Sequence, residues 1–243
     1  MTALRQNSFY ILGASPRDDR RRIVSLAEEK LLHVDETLCS KARDQLTNPR
    51  GRLEAEVSWL PGLSPRRAEE LVKQLDTDSA SVLAATGLPV LSKANLVSAS
   101  LEKIGDAADG RELATVIAEF ARLVNSFDAD AIMRDINEDR LISGFAPVQR
   151  VELITNALAT QKQHYLSVLR RLLDSRSTTS LVALLTAAVD ETTNHGMAHA
   201  PELIDELVDL YEVQATEFFD REALNVTTLI AEIRSKASNG EDT

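Results

Sequence analysis

The chain has 243 residues with a formal charge of −11, and 44% of its residues are apolar, which gives it the means to bury a sizeable core and excludes a disordered chain. Aromatic residues make up only 4%, with 9 Gly and 7 Pro, too few of all three for a β-rich fold. Leu, Ala, Glu and Arg dominate, a composition that favours helices, so an all-α protein is expected.

Taken in chain order, the first apolar patch is Phe9, Tyr10, Ile11 and Leu12, closed by Gly13. Ser15-Pro16 with Asp18 and Asp19 behind it reads as a helix start, Ser at the N-cap and Pro in the first turn. Ile23, Leu26, Ala27 and Leu31 continue at helical spacing. A second helix is predicted over 36–46 and stops at Asn48-Pro49, because the residue before proline disfavours the α region. A third, over 50–60, places Leu53, Val57 and Leu60 on one face and ends at Pro61-Gly62. Ser64-Pro65 repeats the start signature for a helix over 65–75, and a short one comes after it over 78–85. Beyond Gly87-Leu88-Pro89, amphipathic helices are predicted over 92–105, 110–126, 128–141, 147–174, 177–193 and 201–236, the last with a break between 220 and 225. The segment 237–243 is polar and expected to be disordered. The expected organisation is a compact helical module over 1–61 and an acidic helical-bundle domain over 63–236.

Charge is unevenly placed. Residues 1–75 carry +2 and the remainder −13. The acidic part repels a phosphate backbone, so any nucleic-acid contact would fall to the N-terminal third. There Arg17, Arg20, Arg21 and Arg22 are diluted by Asp18, Asp19, Glu28 and Glu29, and no interleaved aromatics or zinc motif accompany them. A nucleic-acid role is therefore disfavoured. The single cysteine, Cys39, forbids an internal disulfide and fits a reducing compartment. No apolar run approaches the roughly eighteen residues of a membrane helix, and no apolar leader comes after Met1, so a cytoplasmic location is expected.

Two stretches carry a resemblance. "FYILGAS" followed by "RRRIVSLAEEKLL", and then "ARDQLTNPRGRLEAEV", resemble the J-domain of DnaJ-type co-chaperones over about residues 8–60. Tyr10, Leu12, Gly13, Ala42, Leu46, Pro49 and Arg52 fall at that family's offsets. Ala42 is small where two helices meet, Leu46 fills the space between them, Pro49 separates two helices, and Arg52 can reach the end of a neighbouring one. The resemblance implies a protein partner, a DnaK-type chaperone or a related ATPase, docked through Arg17, Arg20, Arg21 and Arg22. The family's His-Pro-Asp trigger has only His33-Val34-Asp35 as its counterpart, and the run from His33 to Ala42 is shorter than in the family. His33 and Asp35 are thus either a degenerate part of the partner site or an ordinary helix ending.

The remaining constellations favour plain structural roles. His195 and His199 are four apart, but Gly196 and Ala200-Pro201 make that segment a connecting loop. Asp128, Asp130, Asp135, Glu138 and Asp139 read as a solvated helix face, since no phosphate loop or histidine accompanies them. Cys39 lacks a positioned base and reads as a small core residue. No metal site, cofactor or catalytic residue is assigned. The expected function is a non-enzymatic adaptor, its N-terminal module docking one protein and its acidic part binding a second protein or a second copy of the chain. The alternatives are a structural subunit of a larger complex and, more remotely, a metal-dependent hydrolase using the acidic cluster. The adaptor reading requires that the arginines of residues 17–22 are not consumed by the chain's own carboxylates.

Overall fold

The computed structural model describes residues 2–31, 33–104 and 110–240. All regular elements among the described residues are α-helices. They are α1 (Ala3–Gln6), α2 (Ser8–Leu12), α3 (Arg20–Lys30), α4 (Glu36–Thr47), α5 (Pro49–Val57), α6 (Pro65–Thr77) and α7 (Ser79–Ala84). Next come α8 (Val90–Leu101), α9 (Gly110–Asn125), α10 (Ala129–Ser143), α11 (Val151–Asp174), α12 (Thr178–Thr193) and α13 (Glu202–Gly240).

Most starts are set by a side-chain oxygen that accepts an otherwise orphaned backbone N–H. Asn7 caps α2, Asp35 caps α4, Asn48 caps α5, Ser64 caps α6 and Asp128 caps α10. Pro49 and Pro65 stand in the first turns of α5 and α6, where no N–H is needed. One expected start moves. Ser15-Pro16 belongs to a turn in which the Ser15 N–H donates to Asp18 and the Asp18 N–H donates to the Ser15 carbonyl. The cap of α3 is Asp19, which accepts from the Arg22 N–H at 2.7 Å. An acid is an equally good cap, and Pro16 needs only a turn to satisfy its fixed φ. The break expected between 220 and 225 is absent: α13 runs continuously to Gly240, and residues 241–243 lie outside the described residues.

Three apolar clusters form the interior. One packs Phe9, Leu12, Ile23, Ala42 and Leu46 against Trp59, Leu71, Val82 and Leu96. A second joins Leu53 and Val57 of α5 to Leu91, Ile132, Ile136, Ile154 and Leu158. The third fills the space among α8, α9, α11, α12 and the first turns of α13. The first cluster crosses the 61–63 junction, so the N-terminal helices share one core with α6, α7 and α8. Helix α8 contributes to all three clusters and is buried on nearly every side. A helix buried all round has no polar face, and Ser92 and Asn95 serve as its internal joints, Ser92 donating to the Pro61 carbonyl at 2.6 Å. The Asn95 amide donates to the carbonyls of Val57 (2.8 Å) and Trp59 (2.5 Å), while its oxygen accepts from Gln161 (2.8 Å) and the Tyr165 hydroxyl (2.6 Å). That one side chain ties α5, α8 and α11 together.

Candidate partner-docking groove

Beneath the start of α3 lies a buried ionic network. Arg52 is fully enclosed, and so, nearly, are Glu56, Arg140 and Asp139. The Glu56 carboxylate accepts from Arg52 Nε at 2.8 Å and from Arg140 Nε and Nη2 at 2.9 and 2.7 Å. Arg52 also donates to the Pro16 carbonyl at 2.6 Å and lies 3.5 Å from the Leu46 carbonyl at the end of α4. Its guanidinium stacks 3.7 Å from the centre of the Phe145 ring, a cation–π contact. Burial pushes the Glu56 carboxyl above its ordinary range and the Arg52 guanidinium below its own; the mutual pairing opposes both shifts. Asp139 accepts from Arg17 Nε at 2.8 Å and sits 3.4 Å from the Gly62 N–H. The network thus welds the turn before α3, the start of α5 and the C-terminal end of α10.

The weld shapes a surface feature. Gly144, with φ of 71°, ends α10 in the left-handed conformation that glycine adopts without strain. The chain turns back, the Phe145 N–H donates to the Arg140 carbonyl at 3.1 Å, and Arg140 Nη1 holds the Ala146 carbonyl at 3.0 Å. Between this turn and the start of α3 an open groove of about 710 Å³ is left. Arg20, Arg21 and Asp19 line one side, Ile142, Gly144 and Phe145 the other, with Pro49 also on its wall. Ile142 is 60% exposed and the adjacent Leu141 83%. Exposed aliphatic side chains beside two arginines combine apolar area with positive charge, the pairing that protein interfaces use for strength and orientation respectively.

The four arginines expected to act together divide. Arg17 is consumed by buried Asp139, and Arg22 pairs with Glu29 at 2.9 Å on the surface. Arg20 donates to the Thr47 carbonyl and keeps its charge uncompensated. Arg21 makes no hydrogen bond or ion pair among the described residues and faces the groove. Two of the four arginines are thus paired with the chain's own carboxylates, and only Arg20 and Arg21 line the groove, because Arg17 looks inward from the turn and Arg22 looks along the exposed side of α3. His33 and Asp35 stand beyond the other end of α3, about 15 Å away at 1.5 Å per residue, and do not join the groove. Asp35 caps α4 by accepting from the Leu38 N–H at 3.0 Å, and His33 lies in the exposed turn before it.

The residues of the resemblance take structural places. Leu12, Ala42 and Leu46 are buried, Gly13 ends α2 with φ of 65°, and Pro49 opens α5. Tyr10 is half-exposed and lies under Arg5 in a cation–π contact at 5.6 Å. Arg52 reaches the end of a neighbouring helix, but its charge partner is Glu56, which in turn recruits Arg140 from 84 residues away. Sequence reading passes over Arg140, Leu141 and Ile142. Asp139 is a correction: it is buried, not part of a solvated face, because Arg17 and the Gly62 N–H satisfy it. The signal for the others is "DRLISGF", two aliphatic residues just before a helix-ending glycine.

Elsewhere, Cys39 is buried in the first cluster, and His195 and Gly196 form a left-handed turn at φ of 56° and 84° after α12. No group of three or more His, Cys, Asp and Glu among the described residues is placed to hold a metal ion, and no described helix is long and apolar enough to cross a membrane. The chain matches no protein-family model, no curated protein and no solved structure.

Proposed function

We propose that this chain is a non-enzymatic adaptor whose N-terminal helices dock a protein partner in the groove between α3 and the end of α10. The observation that carries the reading is Arg21, an arginine with no partner among the described residues, set beside exposed Ile142 on a rigid, ionically braced floor. The partner it fits presents an acidic and aliphatic segment. The J-domain resemblance makes a DnaK-type chaperone or a related ATPase the first partner to test. Without the proline of the trigger, and with Asp35 engaged as a helix cap, docking is expected without much stimulation of ATP turnover. The experiment is calorimetric titration of the chain into the DnaK-type chaperone of the same organism, with ATP turnover measured in parallel. Saturable binding that is weakened by Arg20→Glu/Arg21→Glu supports the reading; absence of binding at any accessible concentration removes the chaperone as partner.

A second reading is favoured by the Arg17–Asp139 contact. If the N-terminal arginines chiefly brace the fold, the chain is a structural subunit of a larger assembly. The two readings separate on the same double variant, since a docking role makes it lose binding at unchanged thermal stability, whereas under the structural reading it binds that partner no differently from the wild-type chain.

A further inference from the structure

We infer that the second half of α13 pairs antiparallel with the same helix of a second copy of this chain. The first half of α13 is packed, through buried Leu203, Ile204, Leu207 and Tyr211 and half-buried Ala215 and Phe218. From Phe219 to Arg234 every residue whose side chain is described is exposed, including Phe219 (54%), Val226 (54%), Leu229 (56%), Ile230 (44%) and Ile233 (66%). A helix held up by no neighbour is marginal in water, and an apolar stripe of this size signals a covering partner. The stripe has a definite period: Phe219, Ala223, Val226, Ile230 and Ile233 are spaced 4, 3, 4 and 3, the seam of a left-handed coiled coil.

The occupant is set by complementarity. A two-fold axis passing near Thr228 sets two copies antiparallel and self-complementary. It places Ala223 opposite Ile233 of the second copy, small against large, and Val226 opposite Ile230. Leu229 then faces its own counterpart across the axis, and Asp220 flanks Arg234 of the second copy, an opposite-charge pair. A parallel, in-register pair loses these matches: Ala223 would meet Ala223, and Leu229 would lie beside Arg234. Leu224 is exposed but lies off the seam, which makes it an internal control. This pairing uses none of the residues that line the groove at α3.

The test uses the full chain. Light scattering after size exclusion is expected to give twice the 26.7 kDa chain mass at micromolar concentration. Ile230→Asp/Ile233→Asp should weaken that association at least about tenfold by placing charges in the seam, with far-UV circular dichroism retained outside α13. Leu224→Asp should leave it unchanged. Under oxidation Leu229→Cys should form a covalent dimer, whereas Ala223→Cys should not, because its counterpart lies about 15 Å along the axis; native Cys39 is buried and does not compete. A monomer at every concentration overturns the inference. So does cross-linking of Ala223→Cys in place of Leu229→Cys, or equal disruption by Leu224→Asp.

Discussion

Glu56→Ala is the perturbation that most directly interrogates the floor of the groove. The carboxylate accepts three guanidinium N–H bonds from Arg52 and Arg140, both buried. Its removal leaves two buried cations facing each other without their shared acceptor. Breaking a buried pair by deleting one member costs about 3–5 kcal/mol. Against a typical total of about 5–15 kcal/mol, that is a large fraction of the fold's stability. For a chain of this size each kcal/mol moves the melting point by about 2–4 °C, so a fall of roughly 10 °C is expected. Glu56→Gln keeps one acceptor and should fall about half as far. The assay is urea or thermal unfolding monitored by circular dichroism. A cost below about 1 kcal/mol, the range of surface pairs, would refute the reasoning, since it would mean that the network is solvated.

Asp135→Asn bears on pH. Burial, with Glu138 and Asp139 adding repulsion, pushes the Asp135 carboxyl above its ordinary range, so the native state favours its protonated form and loses stability as pH rises through the raised value. The amide removes that penalty: a gain of under about 1 kcal/mol at neutral pH, disappearing below the ordinary aspartate pKa of about 4, checked by melting curves across pH. Asn95→Leu strands the Val57 and Trp59 carbonyls and the Tyr165 hydroxyl, and unfolding in denaturant should show a loss of about 3 kcal/mol or more. Asp35→Ala removes the cap of α4 and should cost about 1 kcal/mol by the same measurement, with binding of the groove's partner unaffected.

The helices are legible in the sequence because most of their starts and stops are written locally. Asn48-Pro49 and Ser64-Pro65 satisfy backbone groups within three residues, so their caps lie where composition puts them. The start of α3 is ambiguous because Ser15 and Asp19 are both competent caps, and only tertiary structure chooses between them: Arg17, just before the helix, is drawn to Asp139 across 122 positions. The continuity of α13 is hidden because Asn225 and the threonines near it weaken helix propensity without breaking a helix. The groove is half visible. Arg20 and Arg21 stand out as charge, but the opposite wall comes from the end of α10, and no local pattern announces that Arg140 of that helix is held by Glu56. Arg52 is conspicuous for its offset from Pro49; that it is wholly buried, and therefore needs two partners, depends on the packing around it.

The most direct test of the docking claim is the affinity of the intact chain for the DnaK-type chaperone, compared with that of Arg20→Glu/Arg21→Glu. Both arginines are exposed, so the variant should keep its stability within about 0.5 kcal/mol. The account predicts saturable binding to the wild-type chain and a loss of at least about tenfold in the variant, steepest at low salt. Equal affinity for the two proteins, or an unfolded variant, would contradict it.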